Sequence, residues 1–324
     1  MKKNILITGG FGLLGQSLCE NLDKSKFKIF VLDKIKNKER NKFLYKNFLS
    51  IVHGDFNDKK FISHLIQSRK IKIVFHTGAI TQVLDSLKNP YETYKTNIMG
   101  TINILEAIKE IDPSISMIYS SSDKAYGELK TKEYKEESHL TSVYPYDLSK
   151  TCSDLICQSY SKVYDLKIAI VRCGNLYGPG DFNFKRIVPE TILRTLNNKK
   201  LIIRSSGKLV RDYLHVDDAA SAYILIMNKL IHNKKNKLLI YNVGSKFNLS
   251  VTQLVKLILK IMKKNNLEPK ILNYSKSEIK IQKLNFHKIK KELKWRQKIS
   301  MQEGMRTTIS WYKKNFKYVG KIFD

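Results

Sequence analysis

Six short apolar runs rich in β-branched residues, "NILIT", "FKIFVLD", "SIVHGD", "KIVFHTG", "SMIYSSS" and "LKIAIVRCGN", recur between residues 4 and 175. Each ends in polar or glycine residues, and most are separated by segments of helical length. Strands that are apolar throughout need both faces covered, and strands joined through helices run parallel. The pattern therefore predicts an α/β fold, a doubly wound parallel sheet with helices on both faces. Residues 1–178 form the first domain. A helical stretch near 186–198, a strand at "LIIRSS" and a helix-strand return, "DDAASAYILIMNKL" then "LLIYNVGS", follow, so that about 212–248 rejoins the sheet. Residues 179–324 otherwise read as a smaller, mainly helical substrate-binding lobe, with helix starts at Ser250 and Ser300, each followed three residues later by Gln253 or Glu303.

Composition narrows the class. A chain of 324 residues with 42% hydrophobic content can bury a sizeable core, and it has no apolar run of about 18–20 residues to span a bilayer. "MKKNILITGGFG" breaks into glycines too early for a secretory signal, so a cytoplasmic protein without membrane insertion is expected. Cys19, Cys152, Cys157 and Cys173 lack metal-ligand spacing and read as reduced thiols, with no metal site. The formal net charge of +30 comes from lysines scattered from Lys2 to Lys321. No nucleic-acid reader motif accompanies it, which leaves anionic small substrates as the compatible partner and no nucleic acid.

Strands of such a sheet present ligand sites at their carboxyl ends. "ILITGGFGLLG" puts Gly9, Gly12 and Gly15 directly after the first strand and at the opening of a helix, where glycines let the backbone approach a pyrophosphate. Asp33 closes the second strand, placed to accept from a ribose hydroxyl, and Asp55 follows the third. A carboxylate at Asp33 repels a 2′-phosphate, which favours NAD over NADP, while Lys34 and Lys36 beside it pull the other way. In "YPYDLSK", Tyr146 and Lys150 are four apart and share one helix face. A lysine ammonium and a cationic nicotinamide are expected to lower the Tyr146 pKa toward neutrality and make it a usable base. "SSSDKAYG", residues 120–127, places Ser122, Asp123 and Lys124 just past a strand end, at the mouth of the same site.

Taken with "YKTNIMGTINILEA", "RCGNLYGPG" and "RDYLHVDDAA", these motifs resemble the extended short-chain dehydrogenase/reductase family, specifically its NAD-dependent sugar-nucleotide epimerases and dehydratases, with a Rossmann-like fold. The resemblance implies that Ser122, Tyr146 and Lys150 form the catalytic set and that Asn97 supports the active-site helix beside the cofactor. It places Asn175, Arg186 and Arg211 on the sugar nucleotide, the arginines facing phosphates, although Arg211 could instead pair with Asp217 or Asp218. Leu13, Phe56, Ala79, Asn97, Tyr146 and Lys150 complete the expected cofactor-binding set, and Gln82 joins the substrate set. A homodimer through the helices that carry Asn97 and Tyr146 is also implied.

Two departures stand out. "HTGAI" has Gly78 where the family usually has alanine, a change expected only to loosen packing. Ser122-Asp123-Lys124 is similar to the arrangement in CDP-glucose 4,6-dehydratases. It implies elimination of water from a 4-keto sugar, with Asp123 as the acid, its pKa raised by burial, and a neutral Lys124 as the base. The alternatives are a 4-epimerase of the same fold and a non-catalytic NAD-binding regulatory protein.

Overall fold

The computed structural model describes residues 2–34, 49–128, 133–233, 237–274 and 279–323. Its centre is a seven-stranded parallel sheet: β1 (Lys3–Thr8), β2 (Phe27–Asp33), β3 (Leu49–His53), β4 (Ile71–His76), β5 (Ser116–Ser120), β6 (Lys167–Cys173) and, from the second half, Leu238–Val243. Three strands intervene in the chain, β7 (Asn175–Tyr177), β8 (Ile202–Ile203) and β9 (Val210–His215), so the seventh sheet strand is β10. The sheet order is β10-β6-β5-β4-β1-β2-β3.

The period-two geometry of a strand sorts these runs onto two faces. Ile5, Ile7, Ile29, Val31, Ile73 and Phe75 point to one side, where Leu14 and Leu18 of the Leu13–Asn21 helix and Ala219, Tyr223 and Ile226 of the Val216–His232 helix cover them. Leu6, Phe30, Leu32, Val74, Met117 and Ile168 point to the other, under Ile62 and Ile66 of Lys59–Ser68 and Ile104, Leu105 and Ile108 of Gly100–Ile111. Both faces are covered, so uninterrupted apolar strands suit every position of the sheet.

The "LIIRSS" run yields only the two-residue β8, which pairs with β12 (Lys270–Ile271) outside the main sheet. β7, β9 and β11 (Asn248–Ser250) form a separate three-stranded sheet. The helices Ile187–Leu196, Val251–Ile261 and Met301–Lys314 pack Val188, Ile192, Leu254, Ile258, Met305 and Ile309 into a distinct core. Ser250 and Ser300 cap their helices by accepting from Gln253 N and Glu303 N, as their spacing predicts.

One buried ion pair ties sheet to helix. Arg172 of β6 donates from Nε and Nη2 to Asp154 of the Pro145–Tyr164 helix, both at 2.9 Å, and both side chains are fully enclosed. Asp154→Asn leaves the guanidinium charge uncompensated and is expected to destabilise the fold by about 3–5 kcal/mol, measured as a shift of the urea midpoint.

Candidate active site

The chain runs outward from β1 to β3 on one side, then crosses back to β4 and runs outward to β6 on the other. The crevice at that reversal is where a doubly wound sheet holds its ligand. Here it widens into a cleft of about 670 Å³. Two backbones meet at its floor. Gly9 has φ +65°, and a Cβ on it would lie 2.5 Å from Gly78 Cα. A Cβ on Gly15 would lie 2.6 Å from both Gly10 Cα and Gly9 O. The loop is thus drawn tight under the first turn of Leu13–Asn21, whose N-cap Gly12 brings no side-chain cap, and the amides there are the donors a pyrophosphate requires. Asp33 Oδ2 accepts from Phe11 N at 3.1 Å, fixing the carboxylate against this loop. Lys34 turns to Asp55, 3.7 Å from its Oδ2, and Lys36 lies outside the described residues. The loop, the carboxylate and the apolar walls fit a dinucleotide.

Gly78 does not loosen this wall. A Cβ there would sit 2.6 Å from Phe56 Cε1 and 3.2 Å from Gly9 N. Its absence lets the Phe56 ring close onto the cleft between Gly78 and Gly100, so the expectation of looser packing is corrected to closer packing.

The chemical groups enter from β5 and the Pro145–Tyr164 helix. Ser122 caps the short 3₁₀ turn Asp123–Tyr126, its Oγ accepting from Lys124 N and donating to Asp123 Oδ1 at 3.1 Å. Ser122, Asp123, Lys124, Tyr146 and Lys150 are all buried, and all line the cleft. Asp123 Oδ2 is enclosed with no hydrogen-bond partner among the described residues. Burial pushes the Asp123 carboxyl up, against the charges of Lys124 and Arg211 and the hydrogen bond from Ser122. Its protonated form is the one an acid needs.

The expected lowering of Tyr146 does not arise from the protein's own groups. Burial raises the phenol and the charge of Asp147 adds to it, while the hydrogen bond with Ser122 and the charge of Arg186 oppose them. Lys150 is engaged elsewhere: its Nζ donates to Ser120 O at 2.7 Å and lies 5.1 Å from the Tyr119 ring centroid. Burial lowers the Lys150 pKa to about 8, with Cys157 and Asp154 opposing.

Gly9, Gly12, Leu13, Gly15, Asp33, Asp55, Phe56 and Ala79 line one part of the cleft, and Gln82, Asn175, Arg186 and Arg211 line another. Asn97 does not reach the surface of the cleft. Its Oδ1 accepts from Ile80 N at 2.8 Å, and its Nδ2 donates to Ile80 O and to Ser149 Oγ. Asn97 thus links the loop after β4 to the Tyr146 helix. Arg211 Nη1 donates to Val210 O and Ile279 O, while the Asp218 carboxylate takes Lys298 N and Ile299 N. Asn175 Nδ2 is buried without a partner among the described residues. The motifs did not single out Thr81, Asn183 and Arg204, which also line the cleft. They carry no local signature and reach it only through long-range packing.

Fold and cleft define the class of doubly wound α/β nucleotide-binding enzymes. The family model described as "NAD dependent epimerase/dehydratase family" matches residues 5–244, and the chain belongs to that family, with NAD as its cofactor. It is 31% identical over 335 residues to human dTDP-D-glucose 4,6-dehydratase, covering 97% of this chain and 91% of the relative. Among solved structures it resembles dTDP-glucose 4,6-dehydratase from Bacillus anthracis in complex with NAD (28% identity, TM-score 0.86, 99% of each chain). It also resembles UDP-glucose 4-epimerase from Thermotoga maritima with UDP-glucose (27% identity, TM-score 0.87, 97% of this chain and 99% of that one).

Lys150 gives the site a pH signature. At and below pH 7 the lysine is charged in both states, and folding bears the full cost of burying it. From about 8 to 10.5 the unfolded chain binds more protons than the folded one, so that cost is relieved as pH rises. Wild type should therefore gain about 3 kcal/mol relative to Lys150→Met between pH 7 and pH 11 in urea titrations. A pH-independent difference would contradict this.

Proposed function

We propose that the chain is a sugar-nucleotide 4,6-dehydratase that yields a 4-keto-6-deoxy sugar. Residues 1–178, rejoined by 212–248, would carry the dinucleotide, and the 179–324 lobe would carry the sugar nucleotide. The observation that carries this reading is the enclosure of Asp123 and Lys124 in the same cleft as Tyr146. A 4-epimerase needs only Tyr146 and the cofactor. A buried carboxyl held toward its acid form, beside an amine, adds a proton donor and a proton acceptor that only an elimination uses.

The glycine loop and Asp33 would hold NAD, which would supply the hydride acceptor for sugar C4 and the hydride donor for C6. Tyr146, hydrogen-bonded to Ser122, would enter as the phenolate favoured by the cationic nicotinamide, and in that form takes the proton of the 4-hydroxyl as C4 becomes a ketone. The ketone acidifies the C5 proton, which passes to Lys124. Asp123 gives its proton to the 6-hydroxyl, which leaves as water. Lys124 returns its proton to C5 as C6 is reduced, and the proton held by Tyr146 balances the one Asp123 has lost. Lys150, fixed to Ser120 O, positions charge beneath the reacting ring. Arg186 and Arg211 face the diphosphate.

The experiment is turnover of CDP-, dTDP-, UDP- and GDP-glucose in deuterated water, followed by mass spectrometry. Loss of one water together with one deuterium at C5 is expected, and Asp123→Asn should slow it by about 10²–10⁴-fold. A product that keeps its 6-hydroxyl and inverts C4 makes the chain a 4-epimerase. No turnover of the panel, despite NAD binding, makes it a regulatory protein.

The protein is further proposed to act as a homodimer. Tyr91, Met99, Leu155 and Val163 are exposed apolar residues on or beside the helices that carry Asn97 and Tyr146, the kind of patch that marks an interface. Light scattering should give twice the chain mass, falling to one chain mass for the Met99→Glu, Leu155→Glu double variant. A wild-type monomer would remove the proposal. Among the described residues no helix is long and apolar enough to cross a membrane.

A further inference from the structure

With the sugar at Tyr146 and Asp123 and the diphosphate at Arg186 and Arg211, as the dehydratase reading places them, the nucleoside is left the outer wall of the cleft. Ile187, Pro189, Ile203, Arg204, Ser205 and Val251 line that wall, and Arg204 is the charged residue among them. Its backbone is held from the neighbouring strand. Arg204 O accepts from Tyr274 N at 3.0 Å, and Ile203 O accepts from Leu272 N at 2.8 Å.

The guanidinium is held as firmly. Nη1 and Nη2 donate to the two oxygens of Glu190 at 2.5 and 2.7 Å. Glu190 is buried and also accepts from Arg194 Nε at 2.9 Å. Two guanidiniums thus share one carboxylate, and a positive charge is left over at the cleft wall. The Tyr274 hydroxyl lies alongside. Because Glu190 has already fixed the Arg204 rotamer, little ordering remains to oppose binding.

A guanidinium can donate and cannot accept, and the bases differ in how they meet a donor. Cytosine presents adjacent acceptors at N3 and O2, and guanine at N7 and O6. Uracil and thymine set an N3–H donor between their carbonyls. We propose that Arg204, clamped by Glu190, selects the nucleotide, favouring a base with two adjacent acceptors over uracil or thymine.

The test is calorimetric titration of the NAD-saturated protein with CDP, GDP, UDP and dTDP, which requires no turnover. Wild type is expected to bind CDP or GDP about tenfold or more tightly than UDP and dTDP, and the tighter of the two names the base. Arg204→Ala should abolish the preference while changing UDP and dTDP affinity by less than about threefold, since the phosphate contacts remain. Arg204→Lys keeps a cation against Glu190 without the planar fork. Loss of preference in that variant at an unchanged melting temperature separates recognition from local unfolding. Equal binding of all four nucleotides by wild type, or a preference that survives both substitutions, overturns the assignment. A base preference without loss of water from any sugar nucleotide refutes the dehydratase reading alone, and loss of water without a base preference refutes only the role of Arg204.

Discussion

The buried pair of Arg172 and Asp154 is the interaction on which the site's geometry rests. Asp154 Oδ2 also takes the hydroxyl of Ser121 at 2.7 Å, the residue before the reacting turn. Arg172 Nη1 donates to the hydroxyl of Tyr126 at 3.1 Å, the residue that ends that turn, and the guanidinium lies 4.9 Å from the Tyr126 ring centroid. Tyr126 passes the chain on to Asn242 of β10 at 2.6 Å, and Asn242 reaches the carbonyls of Tyr134 and Asn285. One ion pair therefore fixes β6, β10, the Tyr146 helix and both ends of Ser122–Lys124. A buried pair of this kind adds little net stability over an apolar replacement. What it supplies here is direction, because the pair also bonds Ser121, Tyr126, Gln158 and the carbonyl of Glu136.

The same enclosure sets the electrostatics of the cleft. Burial is the largest cause of the shifts at Asp123, Tyr146 and Lys150, and of the fall of His76 to about 3. In every case the neutral form is favoured, as low dielectric requires. For Asp123 this suits an acid and for Lys150 it suits a readily discharged ammonium, but for Tyr146 it opposes the role of a base. Neutral His76 is not idle: it bridges Thr8 of β1 at 2.7 Å and Thr101 at 3.0 Å, and Thr101 holds the carbonyl of Asn97. The switch point of the sheet is thereby connected to the brace beneath the Tyr146 helix without any buried charge.

What the sequence disclosed follows the range of the interactions involved. Strand periodicity, the glycine loop, the serine caps and the i, i+4 relation of Tyr146 and Lys150 are local, and they were legible as spacing. The meaning of Gly78 was not, because the atom it makes room for belongs to Phe56, 22 residues earlier in the chain. Asn97 was visible as a motif, but its work lies in bonds to Ile80 and Ser149 that no spacing predicts. Arg204 was invisible for the same reason: its guanidinium is held by Glu190 of the Ile187–Leu196 helix. At Tyr146 the sequence names neighbouring charges but not the depth of burial, which outweighs them among the protein's own groups.

The two arginines beside the proposed diphosphate position are prepared differently, and the difference bears on how a ligand is held. Arg211 is anchored by short bonds to backbone carbonyls, 2.9 Å to Val210 O and 2.7 Å to Ile279 O, so its charge is fixed in place before anything enters. Among the described residues Arg186 is held only by long contacts, 3.3 Å to Asp181 and 3.4 Å to Thr81. The neighbouring Lys185 is as replaceably held: its exposed pair with Asp85 is of a kind worth about 0–1 kcal/mol. A diphosphate offers a guanidinium stronger, charge-assisted bonds than either Asp181 or Thr81 does at those distances. In the proposed anion site Arg211 would therefore be the fixed point, and Arg186 the residue that exchanges its protein contacts for the ligand's.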